Sequence, residues 1–221
     1  GIDKIVISST AAAYGNIDDS RAKESDIAEP MNVYGETKLS TEKMLKWVEQ
    51  AHGIKYVSLR YFNVAGAHAS GKIGEAHMPE THLIPLVLQA ASGMRENNSV
   101  FGTDYTTKDG TCIRDYIHVS DLAQAHVLAA KYLMGGNKSN IFNLGTGVGY
   151  SVKEVIETTE KVTGRTINVL EKERRAGDVA AVVASSEKAR MILGWKPQQS
   201  SLKGIIQSAW RWHSSHPCGY Q

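Results

Sequence analysis

The hydroxyl cluster Ser8-Ser9-Thr10 closes the apolar run Ile5-Val6-Ile7, and after a polar stretch comes Tyr34-Gly-Glu-Thr-Lys38. Residues four apart share one helix face, so the Lys38 ammonium can lie near the phenol of Tyr34. A phenol titrates at about 10 when unperturbed, and a nearby positive charge favours the phenolate. Tyr34 is therefore expected to act as a general base near neutral pH, taking a proton from an alcohol as hydride leaves its carbon. Tyr-x-x-x-Lys alone is common by chance. Its weight here comes from the strand-end hydroxyls before it and the helix start at the tyrosine.

The surrounding pattern predicts the elements that hold these groups. Residues 4–8 form a β-branched run typical of a buried parallel strand. From 34 to about 51, Met44, Leu45, Val48 and Ala51 recur at helical spacing, and Gly53 is placed to cap the end. Residues 55–61 are a second strand, which makes a strand–helix–strand unit with a right-handed parallel crossover. Residues 62–80 are a long loop, of the kind more often functional than accidental. Beyond it, helices are expected at 82–91, 121–134 (capped by Ser120), 152–162, 186–193 and 201–213. Strands are expected at 99–101, 112–119, 141–144 and 167–170. Ser151 with Glu154 is a capping-box signature, and Gly145-Thr-Gly-Val-Gly149 reads as a turn into the helix that follows. The fold class is α/β, the back part of a doubly wound parallel sheet followed by a smaller mixed domain.

The chain has 221 residues, with 42% hydrophobic and 22% charged content, ordinary values for a globular protein that buries a real core. A net charge of +2 with intermixed signs forms no basic stripe, which argues against nucleic acid as a partner. Cys112 and Cys218 lie far apart without a Cys-x-x-Cys partner, predicting a reducing compartment, no disulfide framework and no zinc site. No stretch approaches about 18 uncharged apolar residues and no signal peptide precedes the first strand, so no membrane association is expected and the location is read as cytoplasmic. Nowhere does Gly-x-Gly-x-x-Gly join a strand to a helix, and the chain opens at Gly1 directly before a strand. It reads as a piece of a longer protein.

Long strings carry a family resemblance along almost the whole chain. They are SSTAAAYG (8–15), YGETK (34–38), RYFNVAGAH (60–68), HLIPLV (82–87), VFGTDY (100–105), DGTCIRDYIHVSDLA (109–123), NLGTGVGYSV (143–152) and RRAGD (174–178). The chain resembles the UDP-glucose 4-epimerase family of extended short-chain dehydrogenases. That resemblance implies the C-terminal part of a Rossmann-type doubly wound parallel sheet plus a smaller mixed α/β substrate domain. Residues 1–65 would belong to the cofactor domain, with about 115–145 returning to it, while 66–114 and 146–221 would mainly bind the substrate. The family's amino-terminal Rossmann segment, about three β-α units of ~30 residues each, has no counterpart here.

The resemblance also assigns roles. The family oxidises C4 of a UDP-hexose with tightly bound NAD, and the 4-keto sugar turns before hydride returns to its other face. By analogy Tyr34 is the base, Lys38 tunes it and holds the nicotinamide ribose, and Thr10 bonds the reacting oxygen. Thr10 stands where the family often has serine, and keeps the hydroxyl. Phe62 would lie against the nicotinamide and Asn63 would touch the sugar nucleotide. A diphosphate rewards fork-shaped arginine donors, and Arg114 and Arg175 match the family's phosphate positions. Ser99, Val100 and Phe101 match the strand whose backbone reads uracil, and Asp178 the acid that meets a ribose hydroxyl. His82 and Leu83 match a further substrate pair. Val182 is small where a larger residue can close the sugar pocket, implying room for a 2-acetamido group. A homodimer through the Tyr34 helix is implied as well.

Each assignment has a plainer rival. Arg114 could pair with Asp109 or Asp115, Asp178 with Arg174, and Phe62 could be core. Trp210, Trp212 and His213 read as packing, and His118 as a strand residue with a buried hydrogen bond. Among activities, a sugar-nucleotide 4,6-dehydratase needs an acid and a base after the strand-end hydroxyl, and Ala11-Ala12 cannot transfer protons. A UDP-glucuronate epimerase or decarboxylase is a weaker alternative. A third is a non-catalytic sugar-nucleotide-binding fragment, the 221 residues alone being inactive and without NAD.

Overall fold

The computed structural model describes residues 1–15, 17 and 21–220. Strand β1 (Lys4–Thr10) pairs in parallel with β2 (Lys55–Tyr61), and β2 with β6 (Asn140–Leu144). Between β1 and β2 runs α1 (Val33–His52), confirming the expected strand–helix–strand unit. Asn32 starts this helix by accepting the N–H of Gly35 at 2.8 Å, and Gly53 ends it in the left-handed conformation (φ 70°) that favours glycine. Helix α3 (Val119–Met134) packs on the same sheet, where Leu122, Ala125, Ala129 and Leu133 meet Val57, Leu59, Phe142 and Leu144. β1 forms an edge of this sheet, so its outer backbone groups have no strand partner among the described residues.

A second sheet is centred on β5 (Ile113–His118). It takes β3 (Asn63–Ala65) and β9 (Ala181–Val182) in parallel and β7 (Gly149–Ser151) antiparallel. Helices α2 (Leu83–Ser92), α4 (Val152–Thr163) and α6 (Leu202–Ser215) pack over it through Ile84, Leu88, Val155, Ile205 and Ile206. β4 (Asn98–Phe101) pairs in parallel with β8 (Val169–Lys172), and α5 (Glu187–Leu193) lies near the sheet of β6. No helix among the described residues is long and apolar enough to cross a membrane. The α/β class holds, with parallel pairing dominant.

Four local expectations are corrected. The cap of α3 is His118, whose Nδ1 accepts the Ser120 backbone N–H at 3.1 Å, so the helix starts two residues earlier than expected. The glycine run 145–149 does not lead straight into a helix, because Gly149 begins β7 against Asp115. The strand expected at 167–170 slides to Val169–Lys172, since Ile167 is buried among Val87, Ile156 and Tyr105 instead. The long loop begins with the short strand β3, which exists only because β5 lies alongside. The capping box of Ser151 and Glu154 forms as expected.

Candidate active site

Parallel strands present their C-terminal ends on one side, where ligands of such sheets bind. Register sets β1 and β2 level, Thr10 opposite Tyr61 and Ser9 opposite Arg60. The three strand-end hydroxyls then part company. Ser8 Oγ meets His126 Nε2 at 3.2 Å, Ser9 Oγ donates to buried Glu42 at 2.5 Å, and Thr10 turns to a cleft of about 850 Å³. Thr10 Oγ1 accepts the Ala12 N–H at 3.1 Å, which fixes its rotamer and leaves its proton available.

Tyr34, in the first turn of α1, lines the same cleft and is 52% exposed. Lys38 follows one turn on, its Nζ 5.8 Å from the centre of the Tyr34 ring and 3.1 Å from the Ser8 carbonyl oxygen that accepts from it. One of its three donors is thus spoken for by that carbonyl. The helix is held close to the sheet by a missing side chain: a Cβ on Gly35 would lie 2.3 Å from the Ala12 carbonyl oxygen, so only glycine lets the Tyr34 turn approach the Thr10 turn.

Beneath lies a network that sequence reading missed. Glu42 is on the Tyr34–Lys38 face of α1, one further turn on, and its carboxylate receives Arg60 Nε at 3.0 Å and Nη2 at 2.5 Å. Both side chains are about 5% exposed. Arg60 also lies over the Tyr14 ring at 4.8 Å, and Tyr14 donates to Asn143 at 2.7 Å. Burial, the largest single effect, opposes the Arg60 charge, but the Glu42 hydrogen bonds together with the charges of Tyr14 and Glu42 raise the guanidinium above its ordinary pKa. The i, i+4, i+8 spacing of 34, 38 and 42 was the available signal.

On the other wall, Asn63, His82 and Leu83 line the cleft, as do Ser99 and Phe101 of β4. Val100 alternates inward and is buried among Val87, Ile156 and Ile167, so only its backbone could meet a ligand. Phe62 is buried beside Tyr14, Ala22 and Ala184 and also borders the cleft. Arg175 sits with its guanidinium 3.8 Å above the Phe101 ring, without an ion-pair partner among the described residues.

The pairing rivals for Arg114 and Asp178 are both overturned. Asp109 is engaged by Thr111 and Ser151, Asp115 by Thr146, Gly147 and Ala184, and Arg174 by Asp104. Instead Arg114 and Asp178 pair with each other, and Arg114 also donates to the carbonyls of Ile113 and Val179 at 2.8 and 2.9 Å. Register places Val182 beside Arg114, and it lines a smaller cavity of about 260 Å³ shared with Thr10, Tyr34 and Asn63. The remaining aromatic residues are packing groups: Trp212 is buried and donates to the Glu75 carbonyl at 2.9 Å. His118 Nε2 reaches Ser208 Oγ at 3.0 Å, as a buried strand-end histidine should.

A strand-end hydroxyl and a helix-borne Tyr-x-x-x-Lys, set at the C-terminal ends of parallel strands above an arginine-lined cleft, define an extended short-chain dehydrogenase/reductase. A sequence model described as GDP-mannose 4,6 dehydratase matches residues 2–208. A UDP-glucose 4-epimerase of Halalkalibacterium halodurans is 56% identical over 219 residues, covering 99% of this chain and 66% of the relative. A crystal structure of a UDP-glucose 4-epimerase superposes with a TM-score of 0.95 at 54% identity, over 99% of this chain and 67% of the other. The Bifidobacterium longum UDP-glucose 4-epimerase, solved with NAD+ and UDP, gives 0.92 at 40% identity, over 99% of this chain and 65% of its own. The chain belongs to the UDP-glucose 4-epimerase family. It spans 66% of the length of the curated relative from Halalkalibacterium halodurans.

Proposed function

We propose that the full-length protein interconverts UDP-glucose and UDP-galactose by transient oxidation at C4. The observation that carries this reading is the shared cleft. It brings Thr10 and Tyr34 together with Asn63, Arg114, Arg175 and Asp178, groups drawn from distant parts of the sequence.

The residues present fit a nicotinamide cofactor. Lys38 has donors to spare for a ribose beyond its bond to Ser8, Tyr34 is open to the cleft, and Phe62 gives an apolar wall. Thr10, Tyr34, Lys38 and Phe62 would hold it. NAD would supply the hydride acceptor at C4 and return hydride to the opposite face of the ketone.

The chain supplies the rest. Tyr34, as phenolate, takes the O4 proton; Thr10 Oγ1 donates to O4 and aligns it; Lys38 stabilises the negative charge on the phenol oxygen. The same phenol hands the proton back when the alcohol re-forms. Arg175, stacked on Phe101, offers unpaired guanidinium donors to the diphosphate, and the Arg114–Asp178 pair offers a second fork with an acceptor beside it. His82 and Leu83 approach the substrate from the start of α2. Ser99, Val100 and Phe101 meet the base through β4 backbone and the Phe101 face.

Finer points belong to the same proposal. Residues 1–65 and about 115–145 form the cofactor side, and 66–114 with 146–221 the substrate side. The small Val182 beside its cavity leaves space for an acetamido group, so N-acetylated UDP-hexoses are accepted too. The exposed Val33, Met44 and Trp47 of α1 mark the surface of a homodimer. The 221 residues alone retain no NAD and no activity. Assays of the full-length protein on UDP-galactose and UDP-GlcNAc test the reading. Turnover of the first supports it, no turnover of either overturns it, and turnover of the first alone removes only the acetamido claim.

A further inference from the structure

The long loop before α2 carries a side-chain cluster of which the proposed reaction uses only His82, at the cleft wall. His77, Glu80 and His82 each offer one ligand atom, and those atoms lie within 4.8 Å of one another. Glu75 joins from the same loop. His82 Nδ1 is 2.9 Å from Glu80 Oε1 and 2.9 Å from Glu75 Oε1, and His77 Nδ1 is 3.5 Å from Glu80 Oε1. The two imidazole rings are 5.0 Å apart.

We propose that His77, Glu80 and His82, with Glu75 beside them, form a binding site for a divalent transition-metal cation of the zinc type. Ligand bonds of about 2.0–2.1 Å at a tetrahedral centre put neighbouring donor atoms about 3.3 Å apart. The 2.9 and 3.5 Å separations bracket that spacing. Two imidazoles with carboxylates suit zinc, cobalt or nickel, whereas calcium and magnesium prefer oxygen donors alone.

A second feature points to a cation independently of ligand count. His82 Nδ1 can carry one proton, yet two carboxylates face it at equal distance. That single proton can bond only one of them at a time, and the other imidazole, His77, approaches Glu80 at 3.5 Å. Glu80 is only 7% exposed in its side chain, and its Oε1 is already fixed by the N–H groups of Thr81 and His82 at 2.7 Å each. Its orientation is set by the backbone, as for a metal ligand held by its surroundings. A cation between these groups would satisfy both carboxylates together.

The site would serve the loop rather than the redox centre. Glu75, Thr81 and His82 border the large cleft, so a bound cation would fix the segment leading into α2 and could be reached from the cleft side. The sequence expectation of no zinc site rested on cysteines, and this cluster contains none.

The test is calorimetric titration of full-length protein, first stripped with a chelator, with zinc chloride. Cobalt chloride replaces zinc in a second titration read by its visible ligand-field bands. Saturable binding of one equivalent is expected, with four-coordinate cobalt bands and no competition from magnesium. His77→Ala and Glu80→Gln should each weaken zinc binding by at least about tenfold while circular dichroism stays unchanged. Cys218→Ser should leave binding as it was. Absence of saturable binding, or wild-type affinity in the His77→Ala protein, would overturn the proposal.

Discussion

Removing the Glu42 carboxylate should damage this protein more than any surface charge change. Glu42→Ala leaves Arg60 inside the protein, about 5% exposed, without the two bonds that neutralise it. Breaking such a buried pair from one side costs about 3–5 kcal/mol. Ser9 Oγ also loses its acceptor, adding about 1 kcal/mol. For a chain of this size each kcal/mol lowers Tm by about 2–4 °C, so the single variant should melt roughly 8–24 °C lower. Glu42→Leu combined with Arg60→Met removes both charges. It should recover to within about 1–2 kcal/mol of the parent, the Ser9 loss remaining. Urea unfolding of the parent, the single variant and the double variant measures these differences. The reasoning is refuted if Glu42→Ala costs under about 1 kcal/mol, or if the double variant is no more stable than the single.

Other perturbations separate geometry from stability. Gly35→Ala places a methyl 2.3 Å from the Ala12 carbonyl oxygen and must push the Tyr34 turn outward. A shift near 1 Å can cost about 100-fold in turnover, against about 1–3 kcal/mol in stability, so kcat should fall far more than Tm explains. Burial lowers the His118 and His213 pKa below the ordinary 6.5. The unfolded chain then binds more protons below 6.5 than the folded one, so the stability these groups contribute is complete above about 6.5 and drains away as pH falls towards their folded values. His118→Gln should flatten that decline, read as the difference in urea midpoint between about pH 7.5 and pH 5.5; an unchanged slope would contradict it.

Legibility in the sequence followed the range of the forces involved. Helix α1 and strand β2 were readable because apolar spacing and a capping glycine act within a few residues. Short strands β3, β7 and β9 were not, since each is held by pairing with β5 from a distant part of the chain. The cleft residues were legible mainly through the family strings. What those strings hide is how the groups spend their bonds. Arg114 and Asp178, assigned separately to phosphate and ribose, reach each other across the fold. The cap of α3 was misread for a local reason: Ser120 is a good capping residue by type, but strand β5 ends at His118, whose ring takes the role. Glu42 sat in view on the Tyr34 face, yet nothing local says that Arg60 and Ser9 converge on it.

The direct test of the account is turnover of UDP-galactose by the full-length Tyr34→Phe protein, measured beside its affinity for UDP. Loss of the phenol oxygen should cut kcat by about 100- to 10,000-fold while UDP binding is kept, since Phe leaves the cleft walls in place. Parent-level turnover from the phenylalanine protein would contradict the assignment of Tyr34 as the base.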